Sequence, residues 1–243
     1  MIRPEIPGSM PVSEVELLVF VMDGSGSMSE TCTPDGRSKA EHLYDIVHGV
    51  LNRLMNSSKK DVFRISFVYF SDTIKVEEIN NSCYFPIDIA ISNLRNPLDV
   101  VGGGSTAIAD ALAKVNEIFD KFSEDEGIPE DKKATVFLFT DGQENVRGKD
   151  DVIQEAKKLL TYPLSPVIAT ISFGSDADES LLMEIASKPN DRQIRHLDIS
   201  GVLSELPDTN KLYLQGHASD GTITRRKIEA IRNFVETLSV TRT

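Results

Sequence analysis

Oxygen-bearing side chains alternate with glycines directly after an apolar run near the start of the chain. The run ends in "FVMDGSGSMSE", where Asp23, Ser25 and Ser27 are separated by Gly24 and Gly26. The glycines remove the side chains between these oxygens and permit backbone angles that are closed to other residues. The segment is therefore either a solvated Gly/Ser turn after a strand or a set of oxygen ligands for a hard cation.

Two further oxygen-bearing residues stand at similar places in the sequence. Thr106 follows "VGGGS" and begins a helical pattern, and Asp141 ends the apolar run "TVFLFTD". In an open parallel sheet, ligands bind outside the carboxyl ends of the strands. Because Asp23 and Asp141 both follow predicted strands, this topology would bring them to the same edge of a sheet.

The elements that would position these residues alternate between strand and helix patterns. A near-continuous apolar run predicts a buried strand at 15–23, and 134–142 is predicted as another buried strand. Further strands are predicted at 62–72, 166–174 and 192–199. Residues 73–79 alternate between apolar and polar, as an antiparallel edge strand does. Apolar stripes at helical spacing predict helices within 43–55, 106–122 and 222–238. Two further helices are inferred between the strands, near 149–160 and 178–187.

This alternation predicts an α/β fold with a doubly wound, mainly parallel sheet, one antiparallel edge strand and helices on both faces, in a Rossmann-like arrangement. We divide the chain into a leader at 1–13, the main domain at 14–206, and a linker with an amphipathic helix at 207–243. The stretch 207–221 is interpreted as an irregular link, because it is rich in Asp, Asn, Gly and Pro.

Composition limits the classes of function. The 243 residues carry a formal net charge of −12, which repels phosphate backbones and anionic membranes, so neither nucleic acid nor a membrane is an expected partner. The apolar runs are shorter than a membrane span, and the leader lacks a signal-peptide pattern, so we expect a cytoplasmic protein. Cys32 and Cys83 are too few for a disulfide scaffold, although one bridge between them stays open.

Taken together, "DGSGS", the Thr in "GGSTAIADAL" and "FLFTDGQEN" resemble a von Willebrand factor type A (VWA) domain over roughly residues 14–206. The resemblance is greatest to free-standing bacterial members, some of which look like components of tellurite-resistance and stress-response systems. The metal site of this family is the metal-ion-dependent adhesion site, or MIDAS. The D-x-S-x-S pattern alone is weak, but its combination with the other two segments in this order is specific.

The resemblance implies that Ser25, Ser27 and Thr106 supply hydroxyl oxygens to the metal, while Asp23 and Asp141 act directly or through water. Independently of the family, hydroxyl and carboxylate oxygens favour Mg²⁺, with Mn²⁺ or Ca²⁺ also suitable. Two carboxylates can just balance the double positive charge of such an ion. If they bind through water, the charge of the ion is balanced poorly and a coordination position stays open. We therefore expect a protein-binding module that captures an Asp or Glu of a partner protein, and no catalytic residues.

Two other functions stay open from the sequence. A metal-dependent phosphoester hydrolase would need a base or nucleophile, for which Asp23, Asp141 and Glu144 are the candidates. A scaffold that has lost its dependence on metal is also possible. Five polar loop residues are expected near the site, and they either shape the choice of partner or are ordinary loop residues. They are Arg37, Asp72, Gln143, Glu144 and Asn145.

Overall fold

Apolar strands form one sheet at the centre of the protein. The computed structural model describes residues 14–31, 33, 35–190, 206–208 and 210–241. The strands in this part of the chain are β1 Glu14–Asp23, β2 Phe63–Phe70, β3 Ile74–Val76, β4 Asp131–Thr140, β5 Val167–Ser172 and β6 Tyr213–Gln215. They lie in the order β3-β2-β1-β4-β5-β6. Among these six described strands, β2 and β3 pair in antiparallel orientation and the other neighbouring pairs are parallel.

The central strand β1 is buried on both faces, which explains its unbroken apolar sequence. Successive side chains of a strand point to opposite faces of the sheet. Accordingly, Leu18 and Phe20 belong to one hydrophobic core, while Val19 and Val21 belong to the other. Both faces therefore need a covering layer of helices.

Seven α-helices in the described residues supply these layers. The core that contains Phe20 lies under α1 Lys39–Met55, α2 Ile87–Asn93, α3 Pro97–Val101 and α7 Arg225–Val240. The other core lies under α4 Ile108–Glu124, α5 Lys149–Leu159 and α6 Glu179–Ile185. The first helix begins with a capping box, in which Ser38 and Glu41 bind each other's backbone amides. This three-layer arrangement confirms the predicted fold class.

The end of the chain contributes to the same sheet and the same core. Strand β6 pairs in parallel with β5, so the interpretation of 207–221 as an irregular link was wrong for residues 213–215. Helix α7 packs on α1 through buried residues that include Phe234 and Leu238. Arg53 of α1 also forms ion pairs with Glu229 at 2.8 Å and Glu236 at 2.7 Å. The terminal helix therefore docks on its own chain, while the division into three parts at 13/14 and 206/207 stays a prediction.

Other sequence expectations have mixed outcomes. The predicted strand at 192–199 lies outside the described residues. The segment before Thr106, whose pattern gave no assignment, contains the short helices α2 and α3. Cys83 is a buried free thiol, and Cys32 lies outside the described residues. Among the described helices, none has the length and apolar composition needed to cross a membrane.

Candidate metal centre

Asp23 is the last residue of β1 and has no solvent-exposed surface. One carboxylate oxygen, Oδ1, accepts a hydrogen bond of 2.7 Å from the backbone amide of Ser25, and Oδ2 accepts one from the Thr140 hydroxyl. Burial raises the pKa of Asp23 to about 6, an effect that the Thr140 hydrogen bond opposes and the charge of Asp141 reinforces. The polypeptide thus holds a carboxylate where its charge is costly without a cation.

Ser25 is the N-cap of the short 3₁₀ turn Gly26–Ser29, and Ser27 lies within that turn. Their hydroxyl oxygens are 3.3 Å apart, and the Ser27 hydroxyl donates a hydrogen bond of 2.8 Å to Asp141 Oδ1 across 114 positions of sequence. The buried Met28 side chain anchors the turn in the core. A β-carbon on Gly24 would lie 2.5 Å from a methyl group of Val101, so only glycine permits this close approach of the turn to α3.

The loop that carries Thr106 is bonded to the loop of Ser25 and Ser27 through main-chain atoms. Gly26 donates its amide to the Gly104 carbonyl at 3.1 Å, and Gly103 donates to the Gly24 carbonyl at 3.0 Å. Gly102, Gly103 and Gly104 all have positive φ, which explains the run of three glycines.

Thr106 is also fixed to the loop after β4. Its amide donates to the side-chain oxygen of Asn145 at 2.8 Å, and its carbonyl accepts from the Asn145 amide at 3.2 Å. A β-carbon on Gly142 would lie 2.7 Å from the Thr106 hydroxyl oxygen, which places that hydroxyl beside the residue after Asp141. Thr106 itself is buried.

Asp141 follows β4 and is fully buried. While its Oδ1 accepts from Ser27, its Oδ2 accepts a hydrogen bond of 2.7 Å from the ammonium group of Lys39, at the start of α1. The same ammonium group donates to Glu30 at 2.8 Å. Burial lowers the pKa of Lys39, but its hydrogen bonds to Asp141 and Glu30 outweigh burial and leave the pKa above its usual value.

The structure thus brings the sequence-predicted residues to one edge of the sheet. Hydrogen bonds or adjoining hydroxyls connect Asp23, Ser25, Ser27 and Asp141, and Thr106 lies against the loop after Asp141. Within the described residues, no group of three or more His, Cys, Asp and Glu side chains could hold a metal ion. A metal centre here therefore depends on hydroxyl oxygens.

The chemistry of these groups fits a hard divalent cation. All the side-chain donors are hydroxyl or carboxylate oxygens, which suit Mg²⁺, Mn²⁺ and Ca²⁺. The ammonium group of Lys39 already lies next to Asp141, which shows that this buried carboxylate attracts positive charge.

The neighbouring loop residues have specific structural contacts. Glu144 accepts hydrogen bonds from the amides of Ala109, Val146 and Arg147, so it caps the first turn of α4. Asn145 positions Thr106 as described above. Arg37 pairs with Asp45 at 2.6 Å.

The other two polar loop residues of the sequence analysis are exposed. Asp72 is one of them, and a β-carbon on Gly104 would lie 2.7 Å from its carboxylate carbon. Gln143 is the other.

Three contributing residues were missed by the sequence analysis: Thr140, Lys39 and Glu30. Thr140 lies in the apolar strand β4 and gave no signal as a partner of Asp23. Lys39 did give a sequence signal, because it lies four residues before Leu43. A charged residue therefore continues the apolar stripe of α1. A lysine on the buried face of a helix needs a buried partner.

An open cavity of about 420 Å³ adjoins the centre. It lies between the loop after β1, the loop after β5 and the residues that follow β6. Its lining includes Glu30, Lys39, Gly174, Asp176 and Asp220. The C-terminal part of the chain therefore contributes to the surface next to the candidate metal centre.

The sequence profile of the von Willebrand factor type A domain matches residues 18–209. The chain belongs to the VWA family. No curated protein matches the sequence. This VWA chain has the fold of a mussel byssus protein, proximal thread matrix protein 1, whose MIDAS motif was solved with zinc. That structure has a TM-score of 0.58 and 20% identity, over 93% of this chain and 46% of the mussel chain.

Two other solved structures with this fold come from a bacterium and a parasite. A von Willebrand factor type A protein from Catenulispora acidiphila is 16% identical, with a TM-score of 0.58 over 92% of this chain and 42% of that chain. Manganese-loaded TRAP protein from Plasmodium vivax is 18% identical, with a TM-score of 0.55 over 92% and 74%. The chain spans less than half the length of the mussel protein. VWA domains are generally protein-interaction modules, and those with a MIDAS bind divalent metals.

Proposed function

We propose that this VWA chain is a divalent-cation-dependent protein-binding module. Asp23, Ser25, Ser27, Thr106 and Asp141 would hold the ion, with Mg²⁺ as the expected metal and Mn²⁺ or Ca²⁺ as alternatives. The observation that carries the proposal is the hydrogen bond between Ser27 and the buried carboxylate of Asp141, which joins the two most distant segments of the motif.

When bound, a divalent ion would supply a positive charge and a coordination position that an Asp or Glu of a partner protein can enter. The chain's own contribution is to hold the hydroxyls and carboxylates in place before the partner arrives. Three of the five side chains are neutral, so the charge of the ion would be only partly balanced by the protein. The adjoining cavity of about 420 Å³ offers room for the residues that flank the partner's acidic side chain.

The contacts of the carboxylates support binding over catalysis. Both oxygens of Asp23 and both oxygens of Asp141 accept hydrogen bonds from the protein. The two oxygens of Glu144 accept from three backbone amides. A general base needs an oxygen that can reach the proton of a substrate or water. These contacts hold the candidate bases for phosphoester hydrolysis within the protein's own hydrogen-bond network, which favours a binding role, and we propose no enzymatic activity.

The cellular setting is a further part of the proposal. We place the module in the bacterial cytoplasm, in a stress-response or tellurite-resistance system, with a protein partner. Support for this setting comes only from the resemblance of "DGSGS", "GGSTAIADAL" and "FLFTDGQEN" to free-standing bacterial proteins.

Capture of a partner from a bacterial lysate, with Mg²⁺ and then with a chelator, tests the proposed function. We expect a protein that is retained with Mg²⁺ and released by the chelator. Ser27→Ala should abolish capture, because it removes a ligand. Ser29→Ala is the matched control, since Ser29 is an exposed serine on the same turn whose hydroxyl donates to the Gly26 carbonyl. Capture that survives the chelator or the Ser27 substitution would refute the proposal, and turnover of a generic phosphoester that is lost in Asp23→Ala would favour the hydrolase.

A further inference from the structure

Lys39 is a buried cation beside the candidate metal centre. Its side chain is 6% exposed, and its ammonium nitrogen lies 2.7 Å from Asp141 Oδ2, across 102 positions of sequence. Space for the pair is created by Gly174, where a β-carbon would lie 3.2 Å from the Lys39 nitrogen and 3.3 Å from the β-carbon of Asp141. Several parts of the fold thus cooperate to bring an ammonium group to this carboxylate.

The two oxygens of Asp141 face different partners. Oδ1 accepts from Ser27, on the side of the proposed metal ligands, whereas Oδ2 accepts from Lys39. An ion among these ligands and the ammonium group would share one fully buried carboxylate. Two cations so placed repel each other, and solvent screens charges less in a buried site than at the surface. The positive charge of Lys39 therefore opposes the binding of a divalent ion.

Glu30 counteracts this effect. Its carboxylate accepts from the same ammonium group at 2.8 Å, while its own side chain is 60% exposed. Glu30 therefore draws part of the ammonium charge away from Asp141 and toward solvent. Removal of Lys39 and removal of Glu30 should consequently change metal affinity in opposite directions.

We propose that Lys39 is a resident cation that sets the metal affinity of the centre by competing with the ion for Asp141. The inference rests on the proposed function, because it assumes that Asp141 helps to hold a metal. Lys39 is a positioning residue in this scheme and acts through Asp141.

Calorimetric titration of the metal-free chain with Mn²⁺ tests this inference. We expect Lys39→Met to bind Mn²⁺ at least about tenfold more tightly than the unaltered chain, a gain of about 1.4 kcal/mol. Lys39→Arg keeps the charge and should bind with an affinity close to that of the unaltered chain. Glu30→Gln should bind more weakly. A role for Lys39 in merely supporting the shape of the site predicts the opposite, a loss of affinity in Lys39→Met.

The outcomes separate the two proposals. If the unaltered chain binds Mn²⁺ and Lys39→Met binds it equally or more weakly, the role of Lys39 is refuted and the metal centre stands. If neither chain binds Mn²⁺, both proposals fail. Circular dichroism checks that each variant is folded. Should Lys39→Met not fold, Glu30→Gln decides, because its substituted side chain is exposed: weaker binding supports the competition, and unchanged or tighter binding overturns it.

Discussion

Asp23 should make the metal-free protein less stable at neutral pH than it would be with an uncharged residue. Its pKa is about 6 in the folded protein, compared with an ordinary value of 3.8. The folded state therefore keeps this proton up to a higher pH than the unfolded chain does. Stability is lost as the pH rises from about 3.8 to about 6, and the full cost is present above that window. A shift of about two units corresponds to on the order of 3 kcal/mol.

Asp23→Asn removes this charge without removing the hydrogen bonds. The amide oxygen of asparagine can accept from the Ser25 amide, and its N–H group can donate to the Thr140 hydroxyl, which accepts as well as donates. We therefore expect the metal-free variant to be more stable at pH 7.5 by up to about 3 kcal/mol. The gain should shrink toward zero near pH 4. Binding of Mn²⁺ should be lost in the same variant, because a ligand is missing.

Urea unfolding in the presence of a chelator, at several pH values between 4 and 7.5, measures this difference, and calorimetry measures metal binding. Asp131→Asn is the matched control, since it removes the same charge from an exposed side chain. We expect it to change stability by less than about 0.5 kcal/mol. A metal-free Asp23→Asn variant that is less stable at pH 7.5, or whose advantage does not vary with pH, would refute the reasoning.

Further predictions concern the Thr106 contact, the terminal helix and the metal. Gly142→Ala should lower Mn²⁺ affinity at least about tenfold in calorimetry, because its β-carbon would meet the Thr106 hydroxyl at 2.7 Å. Gly148→Ala is the control and should leave Mn²⁺ affinity unchanged, because the nearest atom to its β-carbon would be 3.8 Å away. Leu238→Ala should destabilise the chain by about 2–5 kcal/mol in urea unfolding, whereas Leu160→Ala, at a site that is 43% exposed, should have a small effect. Mn²⁺ at about 100 times its dissociation constant should add about 2.7 kcal/mol of stability, visible as a higher melting temperature that a chelator reverses.

A different result would contradict each of these three predictions. Equal metal affinities for the two glycine variants would mean that the Thr106 hydroxyl is not a ligand. Equal losses of stability for the two leucine variants would mean that the terminal helix does not pack on α1. A melting temperature that does not respond to Mn²⁺ would contradict the proposed metal centre.

The sequence predicted those elements whose burial is nearly complete. Strands β1, β2, β4 and β5 are buried on both faces over most of their length, so their apolar runs marked them directly. The stripes of α1 and α4 were long enough to show helical spacing. Helices α2 and α3 have seven and five residues, too few for that spacing to appear. Strand β6 has three residues and forms because the free edge of β5 accepts it, a contact that no local pattern records.

The candidate site was predictable only in part, namely where a local sequence pattern marks its residues. Asp23, Ser25 and Ser27 stand in one short motif, and Asp141 ends a recognisable strand. The contacts that tune these groups come from elsewhere in the fold. Lys39 reaches Asp141 across 102 positions, and Thr140 reaches Asp23 across 117. Such pairs depend on the packing of a helix or on the register of two strands, and neither is visible in the spacing of residues.

The three loops at the centre are connected pairwise, and together they form a closed ring. Gly26 bonds to Gly104, Thr106 bonds to Asn145, and Ser27 bonds to Asp141. A ring with all its sides fixed cannot widen at one point without breaking a bond at another. Mg²⁺ requires oxygens at about 2.0–2.1 Å and Ca²⁺ at about 2.3–2.6 Å. We therefore expect the stiffness of this ring to discriminate ions by radius, in addition to any preference of the donor atoms.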